Sequence, residues 1–95
     1  MYTYRSEEGK LNIIGDRIRE LRKSRTPKMT QKELAERLTK EGLTISRISV
    51  VKIERGERCV TDIEVAALCR VLNVSADALL MTEKKEIFKS PFKIK

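Results

Sequence analysis

The segment from Thr30 to Gly56, TQKELAERLTKEGLTISRISVVKIERG, restricts the fold more tightly than any other part of the chain. It opens on Thr30-Gln31-Lys32-Glu33, a capping box in which the threonine hydroxyl takes the Glu33 amide and the glutamate reaches back to the threonine amide. The helix started there turns Leu34, Ala35 and Leu38 to one side, and Gly42 can close it in the left-handed conformation. Ser46 can cap the next helix and Gly56 can end it. The small side chain of Ala35 either lets a following helix cross close by or simply favours helix. The result is two short amphipathic helices joined by a turn, for which the remaining residues supply the core.

In the second of these helices, roughly Arg47 to Arg55, Val50 and Ile53 fall on one side and point into a core. Ile48, Lys52 and Arg55 point roughly the opposite way, with Arg47 and Val51 on the flank. Ile48 is the anomaly, because a β-branched apolar side chain is awkward on a solvated face. It suits contact with a thymine methyl group, but packing under the preceding turn or against a partner subunit would satisfy it equally.

Before this segment, Ile14, Ile18 and Leu21 share a helical face, and Pro27 limits the helix because it disfavours the α conformation at Thr26. A first helix is therefore predicted over about Ile13 to Arg25. After it, Thr61-Asp62-Ile63-Glu64 is a second capping box, opening a helix with Val65, Leu68, Cys69 and Leu72 inward. Asn73 ends that helix, and Ser75 caps a last short one carrying Leu79 and Leu80. Residues 1–12, with Tyr2, Tyr4, Arg5 and Gly9, lack a helical period and read as a flexible arm. Residues 82–95 hold five lysines among Ile87, Phe88, Pro91, Phe92 and Ile94. This basic, apolar extension could pack on the domain, form an edge strand or pair across a dimer. The expectation is an all-α, compact five-helix domain over residues 13–81 with short extensions at each end.

Composition narrows the function. Ninety-five residues make one domain, and 21 Lys and Arg against 14 Asp and Glu leave a net charge of +7, with a pI near 9.7. So basic a small domain fits a nucleic-acid binder, because its fixed cations displace counterions from phosphates; plain solubility is the competing explanation. The absence of His removes the usual general base and the commonest metal ligand. Cys59 and Cys69 are spaced unlike a zinc or redox motif, and their pairing is left open. Without an apolar leader they fit a reducing cytoplasm. No apolar run exceeds about five residues, so a membrane span is not expected. Phosphate-binding and dinucleotide fingerprints are missing, and Glu33, Glu36 and Glu41 read as caps and solvated helix charge. No enzyme, cofactor, metal or small-molecule ligand is predicted.

Taken in order, TQKELAERL, ISRISVVKIERGER and VTDIEVAALCRVLNVSADALL resemble the lambda-repressor and Cro group of helix-turn-helix proteins, also called the XRE family. The resemblance spans about Ile14 to Leu80. It implies a second helix lying across the DNA backbone and a third entering the major groove. Residue by residue, it implies base contacts at Arg47, Ile48, Val51 and Lys52. Phosphate contacts fall at Thr30, Gln31, Lys40, Ser46, Ser49, Arg55 and Arg58. A salt bridge between Arg22 and Glu54 is implied as well, and a carboxylate beside the core face of the third helix needs such a partner in any case. The chain departs from shorter members by about two extra residues near Thr26-Pro27 and about five through TKEGLT. The second insertion lengthens either the second helix or the turn and brings Lys40 toward a phosphate.

The expected function is sequence-specific binding of double-stranded DNA by a transcriptional regulator, of repressor type. The resemblance also implies a homodimer on an inverted-repeat operator; the apolar residues from Leu80 to Ile94 are the expected pairing surface. The alternative is a protein-interaction module, of antitoxin or anti-repressor type, that retains the fold and offers Ile48, Val50 and Val51 to a partner.

Overall fold

The computed structural model describes residues 5, 6 and 8–81. Five helices follow one another: α1 (Gly15–Lys23), α2 (Gln31–Lys40), α3 (Arg47–Arg55), α4 (Asp62–Leu72) and α5 (Ala76–Leu80). No strand occurs among the described residues, and the all-α expectation holds. Tyr2, Tyr4 and the extension from 82 to 95, on which the arm and pairing-surface expectations partly rest, lie outside the described residues.

Local chemistry sets most of the boundaries. Thr30 Oγ1 accepts from the Glu33 amide at 3.0 Å, and Glu33 Oε1 accepts from the Thr30 amide at 3.2 Å. Thr61 and Glu64 repeat the exchange at 3.2 and 2.9 Å. Ser46 Oγ takes the Ser49 amide and Ser75 Oγ the Ala78 amide. Each such cap contributes about 1 kcal/mol. At the other ends, Gly42, Gly56 and Asn73 all have positive φ. The amide that follows each one bonds back to Leu38, Lys52 and Cys69 respectively, closing three Schellman motifs.

Helix α1 is shorter than the predicted span from Ile13 to Arg25. At its start Asn12 Oδ1 accepts from the amides of Ile14 and Gly15 at 3.1 and 2.9 Å, which delays helical geometry to Gly15. At its end Arg25 turns away to donate to the Val71 carbonyl at 2.9 Å. The extra residues after Leu38 do not add a whole turn to α2. The helix ends at Lys40, and Leu43 and Ile45 pack against the core as the chain passes to α3. Thr39 Oγ1 holds this passage by donating to Ala35 O at 2.9 Å, with Ile45 O at 3.4 Å.

Helix α3 packs on both α1 and α2, while α4 joins α2 to α5. The buried centre includes Ile14, Ile18, Leu34, Leu38, Val50, Ile53, Leu68, Leu72 and Leu79. Met29 and Ala67 join it without having been predicted. Val65 and Cys69, predicted inward, are only partly buried against it, as is Leu80. Cys59 and Cys69 are both free thiols. At the end of the segment read as a flexible arm, the Leu11 amide donates to Gly56 O at 2.8 Å and Asn12 bonds to the end of α3.

Candidate nucleic-acid interface

Helix α3 is anchored along one side and open along the other. Val50 and Ile53 are both 2% exposed. Arg47, Lys52 and Arg55 are exposed, and Val51 is half-buried on the flank. Ile48 is 68% exposed, so it does not pack under the preceding turn. Two of the three roles open for this residue remain, both involving a second molecule. Ser46, which starts α3, keeps its hydroxyl on the Ser49 amide at 3.2 Å, and Ser49 is itself half-buried.

A buried ion pair fixes the inner side of α3. Arg22 Nε and Nη2 donate to the two Glu54 carboxylate oxygens at 2.7 and 2.8 Å. Arg22 Nη1 also donates to Met29 O at 2.9 Å. Both side chains are largely buried, at 8% and 4% exposure. Removing one partner from such a pair leaves an uncompensated charge and costs about 3–5 kcal/mol. The bidentate fork sets α3 against α1 in angle as well as distance.

Gln31, expected at a phosphate, donates Nε2 to Glu54 Oε1 at 3.0 Å and is half-buried. Its amide therefore links the first turn of α2 to the ion pair, with one N–H left for another acceptor. Thr30 and Lys40 are exposed at the two ends of α2. Along the outer side of α2 a shallow groove of about 620 Å³ runs toward the first turn of α3, lined by Lys32, Ala35, Glu36, Thr39, Lys40, Ile45 and Arg47. Lys40 and Arg47 thus share one concave surface.

Arg58 is placed differently from the other cations. Nη2 and Nη1 donate to the two oxygens of Glu64 at 2.7 and 3.0 Å, and Nη1 also meets Cys59 O. The guanidinium hydrogen bond holds the Glu64 carboxyl below its ordinary range, outweighing the opposing effect of burial. A phosphate would have to compete with this carboxylate for Arg58. Among the described residues Arg47, Lys52 and Arg55 enter no ion pair.

Two residues that hold this surface were missed in the sequence. Asn12 Nδ2 donates to Ile53 O and Arg58 O at 3.0 and 2.8 Å. Gly15 brings the start of α1 onto the carbonyls of Ile53 and Glu54. Asparagine is a good capping residue, and its place two positions before the buried Ile14 was the available signal. The long-range half of its role left no local trace.

Among the described residues no helix is long and apolar enough to cross a membrane, and no cluster of His, Cys, Asp and Glu gathers that could hold a metal ion.

The sequence model of the helix-turn-helix family matches residues 18–79. Among solved structures, the restriction-modification controller protein C.AhdI from Aeromonas hydrophila is 29% identical, with a TM-score of 0.58 over 70% of this chain and 89% of that one. The P22 c2 repressor protein, solved in complex with synthetic operator 9T in the presence of Tl+, is 28% identical, with a TM-score of 0.60 over 74% of this chain and 96% of that one. No match was found among curated proteins.

Proposed function

This chain belongs to the helix-turn-helix family of DNA-binding transcription regulators, of lambda-repressor and Cro type, and we propose that it acts as a repressor reading the major groove with α3. Arg47 and Lys52 meet guanine O6 and N7, while Ile48 and Val51 meet thymine methyl groups. Thr30, Gln31, Lys40, Ser46, Ser49 and Arg55 hold phosphates and set the register. Arg58 joins them only by exchanging Glu64 for a phosphate, so it is the weakest member of the set.

The observation that carries this reading is the open edge of α3. A short helix clamped by Val50, Ile53 and the Arg22–Glu54 pair presents two cations, unpaired among the described residues, beside an apolar side chain that is 68% exposed. A thymine methyl gives Ile48 the apolar partner that solvent does not. The likeness to a repressor solved on an operator supports the same assignment.

The protein binds as a two-fold dimer on inverted half-sites. The end of α5, with Leu80 half-buried and Met81 68% exposed, supplies the described part of the pairing surface. Selecting bound duplexes from a random pool tests both claims. An inverted repeat with half-sites about one helical turn apart is expected; enrichment of a single half-site overturns the dimer, and no enrichment overturns the DNA reading. The exposed Ile48 also fits docking to another protein, and partner binding indifferent to salt would favour that second reading.

A further inference from the structure

We propose that Asn12 is a positioning residue for base readout: by tying the C-terminal end of α3 to the start of α1, it sets the pose in which Arg47 and Lys52 reach the base edges. The inference rests on the DNA reading above. Asn12 stands ahead of the segment matched by the family model.

The primary amide of Asn12 uses its whole bonding capacity at one junction. Its two N–H groups go to Ile53 O at 3.0 Å and Arg58 O at 2.8 Å. Its oxygen accepts from Ile14 and Gly15, at 3.1 and 2.9 Å. One side chain thus caps the start of α1, holds a carbonyl in the last turn of α3 and fixes the loop that leaves it. The junction has no slack. A Cβ on Gly15 would collide with Ile53 O and lie 2.7 Å from Glu54 O. The neighbouring Leu11 amide adds a second strut to Gly56 O at 2.8 Å.

The geometry of α3 makes this junction a fulcrum. From Ile53 back to Arg47 the helix rises about 9 Å. A tilt of about 10° at the tethered end therefore moves Arg47 by roughly 1.5 Å. Bidentate hydrogen bonds to guanine do not survive such a shift, since they weaken steeply beyond about 3.2 Å. Phosphate contacts from flexible lysines and arginines follow the movement. Loss of the tether therefore affects sequence reading more than attraction to DNA.

Asn12→Asp separates the two ends of the role. The carboxylate still accepts from Ile14 and Gly15 at the positive end of α1, but it sets an oxygen against the carbonyls of Ile53 and Arg58. Affinities are measured for the best duplex selected from a random pool and for a scrambled duplex, at a temperature where circular dichroism shows both proteins folded. Asn12→Asp is expected to lower the preference for the selected over the scrambled duplex about tenfold, while its added negative charge weakens both duplexes alike. If Asn12→Asp does not fold, Asn12→Ser takes its place: serine caps helices and is too short to bridge both carbonyls, so the same loss is expected. A selectivity ratio equal to that of the natural protein, or an equal loss on both duplexes, overturns the positioning role while leaving the DNA reading intact. Failure of the natural protein to prefer any duplex overturns both.

Discussion

Gly15 shows how much of the site depends on atoms that are missing. In an isolated helix, alanine at this position would be favoured over glycine by about 1 kcal/mol. Here the added carbon would run into backbone oxygens of Ile53 and Glu54, which cannot step aside as a flexible side chain could. Steric conflict wins over propensity, and Gly15→Ala is expected to destabilise the fold by about 1–3 kcal/mol. Thermal unfolding should show this as a fall in Tm of about 4 °C or more; an unchanged or raised Tm would mean that α1 and α3 can part freely. Gly15 and the long-range half of the Asn12 role were not legible in the sequence, because those partners lie some forty residues away and neither residue breaks a local pattern. Arg47, Ile48 and Lys52 were legible as an outward edge, since a helical wheel needs only their spacing. The sequence alone could not choose among the three roles of Ile48; its 68% exposure removes one.

Elements were easier to read than contacts. The two capping boxes, the serine caps and the left-handed closures at Gly42, Gly56 and Asn73 act within six residues, so local sequence carries them. The boundaries of α1 moved at both ends: Asn12 takes the Ile14 and Gly15 amides at its start, and Arg25 bonds to the distant Val71 carbonyl at its end. The junction between α3 and α4 depends on the Arg58–Glu64 pair, which also makes it sensitive to acid. Arg58 lowers the Glu64 pKa in the folded state, so the unfolded chain binds the proton more readily. The pair therefore stabilises the fold fully above the unfolded carboxyl value of about 4.3, and the contribution is lost as the pH falls through the lower folded value. Glu64→Gln removes this dependence. The Tm difference between the natural protein and Glu64→Gln should be largest above about pH 5 and should narrow toward pH 3. An equal difference at both ends of that range would mean that the pair contributes through shape alone.

At the scale of the whole molecule, the net charge of +7 matters through its placement. Arg22, Arg58, Arg70 and Arg17 are engaged by Glu54, Glu64, Glu41 and Glu20, which spends part of the positive charge on holding the fold. Arg47, Lys52 and Arg55, on the open side of α3, enter no such pair among the described residues, and neither do Arg19, Lys23, Lys28, Lys32, Arg37 and Lys40 on α1, α2 and the loop between them. The structure divides into a clamped inner side, built by α1, α2 and the Glu54 network, and an outer edge left for another molecule. Composition suggested a polyanionic partner; only the fold shows that three of the cations unpaired among the described residues, Arg47, Lys52 and Arg55, stand on the helix whose other side is fixed.

The most direct measurement compares Arg47→Ala and Lys52→Ala with Arg55→Ala, binding a selected duplex and its single-base variants over a range of salt. Base reading predicts that Arg47→Ala and Lys52→Ala lose discrimination at one base pair each, by about 1–3 kcal/mol. Arg55→Ala should instead weaken all duplexes alike and lower the salt slope by about one. If all three variants weakened every duplex equally, or if binding ignored salt, α3 would not be reading base pairs.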